Sequence, residues 1–184
     1  MKLTLMLMGG SAFLLIGILG IFYGAGGDTM NLLDIAQRHI PTEMQELFFP
    51  LIFLGFGVLG ALFPFHTWVP DAYGYSTPTS QCVLSSLVSK GYIFLLIKIM
   101  YRVIGLDVIR STGILDVLFV FALVGMIMGS VSAIRQNDVR RMIAFSSVAQ
   151  IGYIFMGLGM GTEAGAVAAL FHIFSHGVSK AALF

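Results

Sequence analysis

The sequence predicts an all-α, polytopic transmembrane helical bundle of about six spans, with a broken helix near Pro64. Three observations carry that reading. First, 58% of the 184 residues are hydrophobic and 10% are charged, with a mean hydropathy of +0.94. A soluble domain is about a quarter charged and needs a charged skin. Second, the apolar residues fall in continuous runs of roughly 20, the length at which a helix crosses the hydrocarbon core. Third, these runs do not alternate with the two-residue period of a barrel strand.

The same composition excludes an ordinary soluble enzyme, a secreted disulfide scaffold and a disordered chain. Ten Lys+Arg against nine Asp+Glu leave a net charge of +1, without the basic excess of a nucleic-acid binder. The single cysteine, Cys82, allows no internal disulfide and no cysteine-based metal site.

The expected spans, within a single transmembrane domain over 1–184, are about 3–23, 47–65, 79–100, 114–134, 142–160 and 163–184. The first follows Lys2 as a signal peptide would, but its length suits a span. The connector 24–46 holds Asp28, Asp34, Arg38, His39, Glu43 and Glu46, and its mildly amphipathic part, 31–38, is expected along the membrane surface. The second span contains Gly55, Gly57 and Gly60 and meets Pro64, which removes a backbone donor. It reads either as a broken helix or as a span that ends there. Trp68, Tyr73 and Tyr75 then mark an interfacial connector. After the third span come Arg102, Asp107 and Arg110, and after the fourth the basic stretch 135–141. The fifth and sixth spans are joined by a Gly-Thr turn. Tight basic clusters favour the cytoplasmic side, which places the N-terminus there too, in a multi-pass protein of a prokaryotic cell membrane. No internal repeat is visible. The last apolar run reaches Phe184 without a polar flank, so the chain reads as a segment of a longer one.

Lys90 sits in the middle of the third span, about 16 Å from either interface at about 1.5 Å per residue. A lysine stem does not easily snorkel that far. A charge at the bilayer centre costs roughly 2.5–3.5 kcal/mol on insertion scales, so such a residue is a functional candidate by default. His172, His176 and Lys180 follow at i, i+4 and i+8 on one face of the sixth span. Two histidines at that spacing can chelate zinc, but a lysine one turn on disfavours a bound cation and no carboxylate accompanies them. A proton relay fits better; interhelical hydrogen bonding is the structural alternative. None of the nine acids is expected in mid-membrane. The lysines would then cycle through neutral forms, or their partner lies elsewhere. His66 is read either as an entry point beside the break or as a structural interfacial histidine. Asp138, Arg140 and Arg141 are read as a solvated surface cluster, and Lys98 as a snorkelling residue.

Three ordered motifs carry a resemblance that covers essentially the whole chain. Pro64-Phe65-His66-Thr67-Trp68-Val69-Pro70-Asp71-Ala72, followed by Thr77-Pro78-Thr79-Ser80 and Lys90, resembles the proton-conducting antiporter-like membrane subunits. Gln136-Asn137-Asp138-Val139-Arg140-Arg141-Met142-Ile143-Ala144-Phe145-Ser146-Ser147 is similar to their basic loop, and the stretch from Leu170 to Phe184 to their His-rich helix. The family comprises large membrane subunits of respiratory complex I, of Mrp-type sodium/proton antiporters and of energy-converting hydrogenases. The resemblance implies a core of about fourteen helices with two inverted five-helix repeats, of which this chain would be roughly the sixth to eleventh. It implies that Lys90 belongs to a central hydrophilic axis and that His172, His176 and Lys180 form the relay of the second half-channel. It implies partner membrane subunits, the lipid bilayer and transported H+, or Na+ exchanged for H+. It implies no cofactor and no metal in this chain, and no catalytic site: any redox chemistry belongs to partner subunits. The chain departs from the family at Leu59, where a lysine usually stands five residues before the proline. That supports a reading from a different class, a degenerate structural or assembly subunit.

Overall fold

A computed structural model describes residues 2–184; Met1 and the side chain of Lys2, which enter the expected domain and its charge balance, lie outside the described residues. Among the described residues the structure is all helix and turn. Helix α1 (Lys2–Gly24) is followed by the short α2 (Leu32–Gln37). Asn31 caps α2 by accepting a bond from Leu33 N at 3.2 Å, so the mildly amphipathic part of the connector is helical. Helix α3 (Thr42–Leu59) leads through a 3₁₀ turn (Phe65–Trp68) into α4 (Val69–Tyr75). The third span is composite: α5 (Pro78–Val83), a π-helical turn (Leu84–Val88), α6 (Ser89–Lys98) and a second π-helical stretch (Ile99–Ile104). Then come α7 (Leu106–Ser111), α8 (Ile114–Ile134), α9 (Val139–Gly159) and α10 (Glu163–Leu183). Six helices are long and apolar enough to cross a membrane: Leu3–Gly24, Thr42–Leu59, Pro78–Ile104, Ile114–Ile134, Val139–Gly159 and Glu163–Leu183. These match the expected number of spans.

Boundaries shift where local chemistry outweighs hydropathy. The second span starts at Thr42, not near 47, so Glu43 and Glu46 are helical. Glu43 sits in the first turn, where a carboxylate meets the positive end of the helix dipole. The fifth span starts at Val139 because Asp138 caps it, its side chain accepting from Arg140 N at 2.8 Å. Arg140 and Arg141 therefore belong to the first turn of α9 rather than to a loop.

The break near Pro64 is a true interruption. Helix α3 stops at Leu59, Ala61 takes a left-handed φ of 63°, and the Phe63–Pro64 peptide is cis. An apolar medium tolerates such a break only if the freed backbone groups find partners. Here the indole Nε1 of Trp68 donates to the Val58 carbonyl at 3.0 Å, and Leu62 N donates to Gly57 O at 2.8 Å. Lipid tails give helices no hydrophobic drive to associate, so close contact between small residues must hold them. Helices α1 and α3 approach at Gly10 and Gly55: a Cβ on Gly55 would stand 2.8 Å from Gly10 O. Helices α8 and α9 approach at Gly129, where a Cβ would stand 2.7 Å from Ala149 N. Helices α3 and α9 are central, each about half buried (50% and 56%), whereas α1, α8 and α10 are peripheral at 22%.

Candidate functional site: a buried lysine and histidine axis

Lys90 is buried, 4% exposed, in the first turn of α6 directly after the π-helical turn. The wider turn changes which groups meet: Ser89 N donates five residues back to Leu84 O. The Ser85 carbonyl is then met by the side chain of Lys90, whose Nζ donates to it. Tyr73, fully buried on α4, braces the same turn: its hydroxyl shares a hydrogen bond with Ser89 Oγ at 2.9 Å and donates to Leu84 O at 3.3 Å. The segment after the break at Pro64 is thereby tied to the lysine's own helix. Ser85, Ser86 and Ser89 are buried around it.

Helix α10 packs on α9 and crosses the π-helical turn at Gly177, where a Cβ would stand 3.2 Å from Ser86 O. That crossing brings His176 (4% exposed) and Lys180 (2% exposed) inward. Lys180 Nζ donates to Ile143 O on α9 at 3.0 Å. His172 and His176 stack with centroids 6.1 Å apart, and Tyr153 lies 5.9 Å from His172. Lys90, Lys180 and His172 all lie within electrostatic reach of His176. Both ring nitrogens of His176 are buried without a protein hydrogen-bond partner among the described residues. A groove of about 600 Å³ between the third span and α10, lined by Lys90, Ser86, Gly91, Phe94, Ile173 and Gly177 among others, opens beside the lysine. The structure thus brings together the four residues that the sequence singles out.

One residue of the axis escapes a search for groups that carry charge. Gln150, on α9, shares a 2.7 Å hydrogen bond between its Oε1 and His172 Nε2. Its signal in the sequence is a lone amide inside the fifth apolar run. Ser147, also on α9, donates to Ile143 O at 3.1 Å, the same carbonyl that seats Lys180. Among the described residues, no carboxylate pairs with Lys90 or Lys180.

The remaining candidates lie elsewhere. Pro64 caps the 3₁₀ turn that carries His66, and His66 stacks on Phe63 at 5.4 Å. Asp138 and Arg140 are exposed, but Arg141 is half-buried and reaches Asp71 at 3.8 Å. The expected solvated cluster is therefore split, because the first turn of α9 aims Arg141 at α4. Lys98 is exposed, with Nζ 5.2 Å from the Phe94 ring centroid. Leu59 is 5% exposed, in the apolar core.

Comparison with known proteins finds relatives of the whole chain and of its fold. The sequence model of the NADH:quinone oxidoreductase/Mrp antiporter transmembrane family matches residues 1–184. NADH-quinone oxidoreductase subunit N of Desulforudis audaxviator is 36% identical over 178 residues, 95% of this chain and 35% of that protein. The chloroplastic NAD(P)H-quinone oxidoreductase chain 4 of Citrus sinensis is 34% identical over 185 residues, 100% of this chain and 36% of that protein. The chain thus spans about a third of the length of these curated relatives. Among solved structures, a chain of the archaeal membrane-bound sulfane sulfur reductase superposes with a TM-score of 0.86 at 30% identity, covering 97% of this chain and 36% of that one. A chain of the Mrp complex from a Dietzia species superposes at 0.82 with 26% identity, covering 96% and 32%. A chain of Thermus thermophilus respiratory complex I shares the fold at 0.82, with 21% identity over 99% of this chain and 38% of that one. With its whole length matched and its six membrane-crossing helices on that fold, this integral, multi-pass membrane protein belongs to the NADH:quinone oxidoreductase/Mrp antiporter transmembrane family.

Proposed function

We propose that this chain is the ion-translocating part of a membrane subunit that moves protons, within a multisubunit assembly of the complex I, hydrogenase or Mrp type. The observation that carries the reading is the seating of two buried lysines on backbone carbonyls, with two stacked histidines on the helix of the second. A carbonyl accepts a hydrogen bond from an ammonium and from a neutral amine alike, so each lysine keeps its seat through a protonation cycle. A carboxylate partner would instead hold the charged form. Lys90 would hold a proton near mid-membrane and pass it through water to His176, His172 and Lys180. Gln150 would orient His172 from the side. Redox chemistry, where the assembly has it, would belong to partner subunits. The bacterial subunit N relative supports a prokaryotic cell membrane as the location.

The test is Lys90→Ala in the full-length subunit within its complex, reconstituted in liposomes with a pH-sensitive dye. Proton transport should fall to background while the complex still assembles. Normal transport would overturn the relay. Repeating the assay with and without Na+ tells plain proton translocation from Na+/H+ exchange. One observation favours a second reading: Leu59 fills a core position with an apolar side chain, as a subunit kept only for assembly would allow. Background transport by the unaltered complex would support that reading.

A further inference from the structure

Where α2 packs on the second π-helical stretch, a cavity of about 220 Å³ lies between α1, α2, α3 and the third span. Every side chain that lines it is apolar. Engineered apolar cavities of roughly 150 Å³ stay dry and take up benzene, and an empty void forfeits the dispersion contacts of its walls. A space of this size and lining therefore suits hydrocarbon and not water. The lining runs along the helices: Ile18 and Phe22 stand about one turn apart on α1, and Leu95, Ile99 and Val103 follow at i, i+4 and i+8 on the third span. Leu95 and Val103 are half-buried, so each keeps part of its surface accessible. Ile18, Met30 and Leu32 also line the cavity and are 37%, 66% and 36% exposed, so it opens on the outer flank of the bundle. A stripe of different chemistry runs beside it. Lys98 and Arg102 each stand one residue before a lining residue, toward the end of the third span. Both are exposed, and neither pairs with a carboxylate among the described residues. Lys98 lies over the Phe94 ring. Arg102, close to the end of the span at Ile104, keeps its guanidinium for another anion.

We infer that this cavity is a phospholipid site: one acyl chain of an anionic lipid lies in it, and the lipid's phosphate sits on Arg102. The two parts of the ligand match two features at one end of the same span. Hydrocarbon fills a space that water avoids, and a guanidinium binds phosphate through two parallel N–H donors. The order of the residues gives the chain its direction. Arg102 is near the end of the span, where headgroups lie, and Leu95 is about 10 Å deeper at about 1.5 Å per residue. The acyl chain therefore runs inward from the guanidinium along Val103, Ile99 and Leu95. That depth is part of one leaflet's half of a hydrocarbon core of about 30 Å, so the cavity grips the headgroup-proximal segment and the rest of the chain stays in the bilayer. Bound there, the lipid fills the gap between the peripheral α1 and the span that carries Lys90. The site holds whether or not the chain moves protons.

The test uses the full-length subunit in its complex, in liposomes doped with a phosphatidylglycerol that carries a diazirine in the headgroup-proximal half of one acyl chain. After illumination, the labelled residues are mapped by mass spectrometry. A phosphatidylcholine with the same chain is the control without net headgroup charge. Leu95 and Val103 should be labelled by the phosphatidylglycerol about fivefold more than by the phosphatidylcholine, the ratio that one cation near the membrane surface supports. Val120, on the exposed face of α8, should be labelled equally by both. Arg102→Gln, at an exposed position, should bring the two lipids to equal labelling at Leu95 and Val103 and leave Val120 unaffected. No label at Leu95 and Val103 with either lipid would overturn the cavity as a chain site, including the case in which another segment of the full-length subunit fills it. Equal labelling by the two lipids in the unaltered protein would overturn Arg102 as the partner of the phosphate, and so would a preference that survives Arg102→Gln.

Discussion

The carbonyl oxygen of Ile143 accepts from both Ser147 Oγ and Lys180 Nζ, and that of Ser85 from Lys90 Nζ. Backbone oxygens thus do in this bundle what acidic side chains do in most buried ion pairs. The cost of a buried amine is reduced without fixing its charge, as the proposed proton transfer requires. Gln150 has the equivalent role for His172. Gln150→Leu removes the histidine's partner; a part-buried hydrogen bond of this kind is worth roughly 0.5–1.5 kcal/mol, or up to about tenfold in a rate that depends on it. Proton transport by the full-length Gln150→Leu complex should fall by about that factor. A rate within twofold of the parent would take Gln150 out of the pathway. Sequence reasoning found Lys90, His172, His176 and Lys180 because ionisable side chains are rare in apolar runs. It missed Gln150 because a neutral amide stands out less.

Between elements, two kinds of contact hold the bundle. One is the repair of the broken helix. Trp68→Phe shrinks the ring and deletes the indole donor to Val58 O, which is left with the longer backbone bond from Ala61 N at 3.2 Å. Unfolding in detergent should show a loss of about 1–3 kcal/mol, and an unchanged midpoint would mean that the bond from Ala61 N alone satisfies Val58 O. The other is glycine-mediated approach. A Cβ on Gly152 would stand 2.8 Å from Met126 Cγ and 2.9 Å from Ala122 O, so Gly152→Leu must push α8 off α9. Overpacking costs typically about 1–3 kcal/mol, read as a lower unfolding temperature. Gly9→Ala, with nothing within 4 Å of the new Cβ, should match or slightly exceed the parent, since alanine is the better helix former. The glycines were legible as residues but not as contacts. Which helix each one faces depends on the assembled bundle.

Across the whole molecule, α3 and α9 form the interior and α1, α8 and α10 the rim. Val120 and Ile127 on α8 are more than half exposed, at 55% and 56%. Spin labels at either position, in the Cys82→Ala background, should relax faster with oxygen, which concentrates in lipid, than with a water-soluble nickel chelate. A label at Asp138 should show the reverse. Equal responses at 120 and 138 would mean that the membrane boundary has been drawn in the wrong place.

Hydropathy and spacing by themselves determined that the chain is a six-span helical membrane protein, that the second span breaks or ends near Pro64, and which ionisable groups fall inside apolar runs. These properties follow from local composition, because the bilayer penalises each misplaced polar group one residue at a time. Tertiary structure alone decided that Lys90 and Lys180 rest on carbonyls, that Gln150 meets His172, and that Arg141 leaves its surface cluster for Asp71. Each of these is a contact between helices distant in sequence, set by where glycines let backbones close in and where a π-helical turn redirects a side chain. A one-dimensional pattern carries no record of that geometry.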